Sequence, residues 1–412
     1  MGLGFRVGAQ LPTGARLGGL GSPELLLQKV IDATPQRVGD SDHAAITAWG
    51  SVPNGVDFIL HPAEEPLELR VVDGWLEATA KTSSAGPGYH AFAIEWLDRV
   101  ADEFGLTWSW ADEAREYLDE TGFAETRDFE SLQAEMFAWL RFVAKRLLGS
   151  EQAEWPLGLP MGFWVRGDHY AISSLGRWSR EWFEAAAAAD DTNSTDHGRA
   201  FFPWWNRDRD ALFFKNCALV QAWVDVLWRA PVGDQERRCL ENTLACFHRA
   251  RALDPALELP ESEIAEIEAL IAGNAPERPR VSGVGFRRLP MRKPVTGSWT
   301  LEVPGYFQET SERDGGTIVF WDGTRTIRSS SFAFGPEEPP RPETGSLVFD
   351  EDGRWGTAEI DRIEQEGAVY WQLHGEMRAP GSVCVVTVCF DDADDREWAI
   401  ESWRSLRRPS EE

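Results

Sequence analysis

Ser382-Val383-Cys384-Val385-Val386-Thr387-Val388-Cys389-Phe390 runs directly into Asp391-Asp392-Ala393-Asp394-Asp395 and then Arg396-Glu397-Trp398-Ala399-Ile400-Glu401-Ser402-Trp403. The first nine residues are β-branched or apolar with few exceptions, which reads as a strand. Cys384 and Cys389 are an odd number of residues apart on it, so their side chains point to opposite faces. The acidic run stops the strand. Trp398, Ile400, Trp403 and Leu406 then mark a helix. A strand that closes on a helix predicts a sheet with that helix packed upon it.

The residues upstream supply the sheet. Strands are predicted near 346–349, 354–363 and 368–378. Thr317–Trp321 and Thr324–Phe334 flank Asp322-Gly323, a strong hairpin signal. Trp299, Leu301 and Val303 alternate with polar residues, and residues 335–344 form a proline-rich loop. Residues 297–412 therefore read as an antiparallel meander covered by a C-terminal helix, which is an α+β architecture.

Ala368-Val369-Tyr370-Trp371, His374-Gly375, Ser382–Phe390, Asp391-Asp392, Trp398-Ala399-Ile400 and Trp403-Arg404-Ser405-Leu406 occur in that order. This series resembles the end of a Mog1/PsbP-like domain, in which a strand pair leads through an acidic turn to a helix. The DcrB-type proteins, which include chaperones for secreted bacterial effectors, are similar to it. The resemblance is confined to residues 297–412, and the proline-rich loop departs from its pattern. It implies a non-enzymatic domain that binds other proteins.

Residues 1–275 read as a separate α+β domain, with a small sheet and a helical remainder, and no family resemblance. Residues 1–22 are glycine-rich and read as irregular. Val56–Leu60 is a short apolar run, and Leu67, Leu69 and Val71 alternate up to Asp73-Gly74, a second hairpin signal. Phe92, Trp96, Val100 and Phe104 recur four apart and predict a helix. A further helix is expected over 129–148, with Asp128 as its N-cap. Helices also follow from the patterns at 208–229, 234–253 and 261–272. Residues 155–205 are rich in Trp and Gly and give no clear period. Residues 276–296, with several prolines and Arg287, Arg288, Arg292 and Lys293, read as a linker.

The 412 residues carry 41 basic and 68 acidic side chains, a net charge of −27. That balance repels phosphate backbones and excludes nucleic acid as a partner. It favours another protein, one with a basic surface. The 20 Trp and 22 Phe can fill large cores and argue against disorder. The N-terminus has no apolar core of a secretory signal, and no run of about 18 apolar residues exists, so no membrane span is expected. The five cysteines form no CxxC pair and are expected as reduced thiols, which points to the cytoplasm.

Chemistry-bearing motifs are sparse. Asp42-His43, Asp168-His169 and Asp196-His197 repeat one dipeptide. Their convergence would give His43, His169 and His197 as metal ligands, or Asp168 and His169 as part of a hydrolytic site. Each lies beside Gly or Ser, as turn residues do, and no metal or cofactor is expected. Gly86-Pro87-Gly88-Tyr89-His90 opens a helix whose free N–H groups can hold an anion, with His90 as acid, base or donor. A tight turn starting a buried helix is the plainer alternative. The Asp391–Asp395 run lacks the Gly and Glu of a calcium loop. Phe201-Phe202-Pro203-Trp204-Trp205 offers Phe201, Phe202, Trp204 and Trp205 as a partner-binding surface, against the alternative of a loop tucked into the core. The expectation is a non-enzymatic protein-binding protein, such as an immunity protein, an effector chaperone or a defence component of bacteria. Its rival is a hydrolase or transferase with a site near His90 and the Asp-His loops.

Overall fold

The computed structural model describes residues 2–11, 23–34, 48–150, 155–159, 164–165, 169–190, 194–274, 279–312, 315–334, 347–351, 353–365 and 367–408. The fold is α+β, and its sheets are almost wholly antiparallel. The chain divides into two compact units. The first takes residues 1–160, 168–225 and 238–268, and the second takes 161–167, 226–237 and 269–412.

The main sheet of the first unit has eight strands: β1 (Gly4–Gln10), β2 (Ala48–Val52), β3 (Gly55–Ile59), β4 (Leu67–Val72), β5 (Trp75–Lys81), β6 (Trp108–Ser109), β7 (Ala111–Asp112) and β8 (Tyr117–Asp119). Their order is β2-β3-β4-β5-β1-β8-β7, with β6 also on β1. Asp73 and Gly74 join β4 to β5 with φ of 47° and 80°, the positive pair that a two-residue hairpin demands. The expectation of an irregular N-terminus is corrected here. β1 lies at the middle of the sheet, pairing with β5 along its whole length. Its glycines, which weaken the strand signal, leave space for neighbours: a Cβ on Gly8 would meet the Tyr117 ring at 2.4 Å.

Helices of this unit are α1 (Pro23–Ala33), α2 (Pro87–Phe104), α3 (Phe123–Thr126), α4 (Phe129–Leu148), α5 (Arg180–Ala188), α6 (Ser194–Phe201), α7 (Ala211–Val224) and the greater parts of α8 (Asp234–Leu253) and α9 (Glu261–Ile271). Asp128 caps α4 by accepting from the N–H groups of Glu130 and Ser131. Gly86 caps α2 at φ 108° and ψ −170°, a conformation open essentially to glycine. A Cβ there would also sit 2.6 Å from Phe202 Cβ. Gly86→Ala is therefore expected to cost about 2–3 kcal/mol. Urea unfolding of the variant checks this, and a loss below about 0.5 kcal/mol would show that the loop relaxes freely.

The second unit carries a seven-stranded antiparallel sheet. Its spatial order is Gln308–Ser311, Thr317–Trp321, Arg325–Ala333, Ser382–Phe390, Ala368–Ala379, Arg354–Gln365 and Leu347–Glu351. Helix α10 (Arg396–Arg404) covers one face. Ala399, Ile400 and Trp403 join Leu373, Met377, Cys384, Val386, Val388 and Phe390 in the core beneath it. The expected linker is corrected as well. Pro290–Pro294 is a strand paired with Thr300–Pro304, and Phe286, Arg288 and Met291 are buried. Its two prolines stand at the strand's ends, where a missing N–H costs the ladder little. Arg288 lies over the Trp228 ring at 3.5 Å, so one of the apparent linker charges is an interior stacking group.

Candidate functional site

The helix start at His90 carries a catalytic expectation, and its geometry has the order of a hydrolase triad. The Thr82 hydroxyl at the end of β5 lies 2.8 Å from His90 Nδ1. His90 Nε2 lies 3.1 Å from Asp119 Oδ1 and 3.0 Å from Thr121 Oγ1. Thr121 gives its own hydroxyl proton to Asp119 at 2.9 Å, so it accepts from His90, and Nε2 carries a proton. Asp119 also accepts from the N–H groups of Thr121 and Ala124, at 3.0 and 2.7 Å. Burial by itself would raise the Asp119 carboxyl. The hydrogen bond and charge of His90, with the two N–H donors, bring it instead down to about 2.

Hydroxyl, imidazole and carboxylate are thus aligned, but nothing can reach them. His90 and Thr82 are 0% exposed, and Asp119 is buried. Phe5 and Phe123 meet the imidazole edge-on at 5.7 and 6.2 Å. A nucleophile must face a pocket that admits a substrate carbonyl. Here the three groups tie β5, α2 and the β8–α3 turn together, and the catalytic expectation for His90 is corrected to an interior tie. Ordinary packing is the cause: Tyr89, Ala91, Ala93 and Ile94 drag the first turns of α2 into the core.

A second pair was invisible in the sequence. His61 Nε2 and Cys217 Sγ, 156 residues apart, approach to 3.4 Å in the interior. A cysteine–histidine pair at that distance suggests an activated thiol. The hydrogen bonding excludes one. The Ala63 N–H donates to His61 Nδ1 at 3.1 Å, so in the neutral ring the proton sits on Nε2 and points to the sulfur. Burial, helped by the Arg209 charge, pushes His61 down to about 3, and burial pushes the Cys217 thiol up. The histidine has no lone pair with which to take the thiol proton. Beside it, Glu64 accepts from the Ala85 N–H at 2.6 Å, and burial pushes its carboxyl up to about 8.

The aromatic segment is corrected from partner surface to core. Phe201, Phe202, Trp204 and Trp205 are all buried. A loop can enter the interior only if its backbone is satisfied. Trp204 N–H donates to Ala85 O at 2.8 Å, and Gly88 N–H donates to Trp204 O at 2.9 Å. The Trp204 ring stacks on Phe92 at 5.3 Å, and Phe202 stacks on Trp205 at 5.8 Å. Arg209 lies over Phe92, Trp204 and Phe213.

Of the Asp-His candidates, His43 and Asp168 lie outside the described residues. His169 is half-buried, Asp196 is exposed on α6, and His197 is half-buried with Phe137 and Trp182 near its ring. Among the described residues no group of three or more His, Cys, Asp or Glu is placed to hold a metal ion. No helix among them is long and apolar enough to cross a membrane.

What remains is a surface. The sheet of the second unit has α10 on one face only. On the other face Phe332 is 59% exposed, Val348 61% and Val385 38%. Val383, Tyr370 and Trp355 lie half-buried on the same side. Arg378 lies over Trp355 at 5.5 Å. The sequence did carry a signal for this face. Ser382–Phe390 has apolar residues at odd as well as even positions, which marks a strand with two faces to cover.

No protein-family model matches the chain, and no curated protein matches it. Among the solved structures that are similar to parts of it are the following two. One, from Bacteroides thetaiotaomicron VPI-5482, is 12% identical with a TM-score of 0.23, over 28% of this chain and 46% of that one. The chain thus spans less than half the length of that protein. The other is the cyanobacterial PsbP protein CyanoP from Synechocystis sp. PCC 6803, 12% identical with a TM-score of 0.17, over 29% of this chain and 92% of that one.

Proposed function

We propose that this chain is a non-enzymatic protein-binding protein, and that its docking surface is the uncovered face of the second unit's sheet. The observation that carries this reading is the exposure of Phe332, Val348 and Val385 on the face opposite α10. Large apolar side chains left exposed on one face mark interaction sites on otherwise well-packed proteins. An immunity protein, an effector chaperone or a component of antiviral defence in the bacterial cytoplasm would act through such a face. The Mog1/PsbP-like pattern in residues 297–412 implies the same role. The acidic balance adds a preference for partners with basic surfaces. The hydrolase or transferase reading gains nothing from His90 or His61, because both are sealed from solvent.

The test is capture from the native host with the full chain and with a Phe332→Asp, Val385→Asp variant. The wild type is expected to retain a protein at fixed stoichiometry. The variant, with an unchanged melting curve, is expected to lose it. Retention of the same protein by both chains would remove this face from consideration.

A further inference from the structure

Two rows of the docking face carry complementary groups at equal distances from its midline. Across the sheet, Arg328, Thr387, His374 and Glu359 are successive neighbours in one row. Phe332, Val383, Arg378 and Trp355 form a second row. In each row the complementary groups stand at the ends: a cation against an anion in the first, and two aromatic rings in the second. The midpoint of both rows falls between the strands Ser382–Phe390 and Ala368–Ala379.

We infer that the occupant of this face is a second copy of the chain, docked face to face about a two-fold axis parallel to the strands at that midpoint; the inference rests on the docking-face reading above. Such an axis sets position +x of one sheet against −x of the other within the same row. Arg328 then meets the second copy's Glu359, and Glu359 meets its Arg328. Phe332 meets Trp355 in the same reciprocal way. His374 lies opposite Thr387, its own cross-strand neighbour at 3.2 Å within one chain. An isologous interface requires this reciprocity. Sheets that pack face to face keep their strands roughly aligned, as this axis does.

The two charged groups are available. Arg328 and Glu359 are exposed. The present partner of Arg328 is Glu312 at 3.4 Å, with about half of each side chain exposed, and exposed pairs of that kind exchange at little cost. Size also fits. The six strands that this axis sets against one another, at about 4.8 Å spacing, span roughly 24 Å, and nine residues at about 3.3 Å give roughly 30 Å along the central strands. That area is close to the ~800 Å² per partner of a standard stable interface.

Sedimentation velocity of the purified full chain over about 1–100 μM reads the result. The wild type is expected at twice the 46.2 kDa chain mass in the upper part of that range. Arg328→Glu and Glu359→Arg are each expected to weaken the dimer about tenfold or more, and the double exchange to restore it. Phe332→Asp is expected to give a monomer with an unchanged melting curve. A wild type that is monomeric throughout overturns the inference, as does a dimer that none of the changes affects. A dimer that Phe332→Asp dissociates, but that the double charge exchange fails to restore, overturns the two-fold register. A monomer whose capture of a different protein still depends on Phe332 would overturn the second copy while leaving the docking face standing.

Discussion

Trp403→Ala will cost the second unit about 3–5 kcal/mol, a large part of what holds a domain folded. Trp403 is fully buried in the last turn of α10. Its indole N–H donates to Glu376 O at 3.2 Å. The strands beneath are shaped to receive it. A Cβ on Gly375 would come within 2.6 Å of Trp403 Cδ1, and one on Gly356 within 3.2 Å of its Cζ2. Neither glycine can move aside, because both stand inside the long ladder between Arg354–Gln365 and Ala368–Ala379. Truncation therefore leaves a cavity over rigid backbone, the case in which the surroundings relax least. The same geometry gives a coupling. Gly375→Ala should destabilise the wild type by more than about 1 kcal/mol and should be close to neutral once Trp403 is Ala. Urea unfolding, followed by a probe in the second unit because two units need not melt together, measures all four chains. Additive losses would mean that Gly375 is not there for the indole.

The parts of this fold that were legible in the sequence are those whose signals are local. The strand Ser382–Phe390 is a run of β-branched and apolar residues, the helix at 129–148 carries its own cap in Asp128, and Asp-Gly marks both hairpins. Each is decided by neighbours a few residues away. β1 was missed because Gly4 and Gly8 serve distant neighbours, Ala80 and Tyr117, and not the strand's own propensity. Pro290–Pro294 was missed because prolines at strand ends look like prolines in a linker. The aromatic run at 201–205 turned on a backbone exchange with Ala85 and Gly88, more than 110 residues away, which no local pattern encodes. The candidate chemistry failed in the same way. His90 was correctly placed at a helix start, but burial decides whether an imidazole is a base or a tie, and burial is a tertiary property. The docking face is the converse. Its apolar residues were visible as a two-sided strand, and only the position of α10 showed which side is left open.

Glu64→Gln will change the pH dependence of stability, with the largest gain at the alkaline end. The Glu64 carboxyl is buried, and burial holds it at about 8, against 4.5 for the free side chain. The N–H groups of Ala85 and Ser84 pull the other way and lose to desolvation, and the nearby Glu65 charge adds to the rise. Between about pH 4.5 and 8 the folded chain therefore holds a proton that the unfolded chain has released. Stability falls as pH rises through that window, and the loss is complete above the folded value. Glutamine can still accept from the Ala85 N–H and cannot ionise. Its amide brings a cost of its own, since Glu64 Oε2 has no hydrogen-bond partner among the described residues. The measure is for that reason the variant minus wild-type difference as a function of pH. It should grow by roughly 4 kcal/mol in favour of the variant from pH 4.5 to pH 8. His61 supplies an internal check. It is held at about 3 in the folded chain, so its contribution is full above about 6.5 and is lost as pH falls towards 3. In the wild type the opposite slopes of His61 and Glu64 cancel between about pH 4.5 and 6.5. In the variant the His61 slope stands alone, and stability should climb with pH across that interval. Unfolding free energies of both chains from pH 4 to 9 decide it. A difference that stays flat with pH would mean that Glu64 is ionised in the folded protein, with the 2.6 Å contact to Ala85 made by a carboxylate.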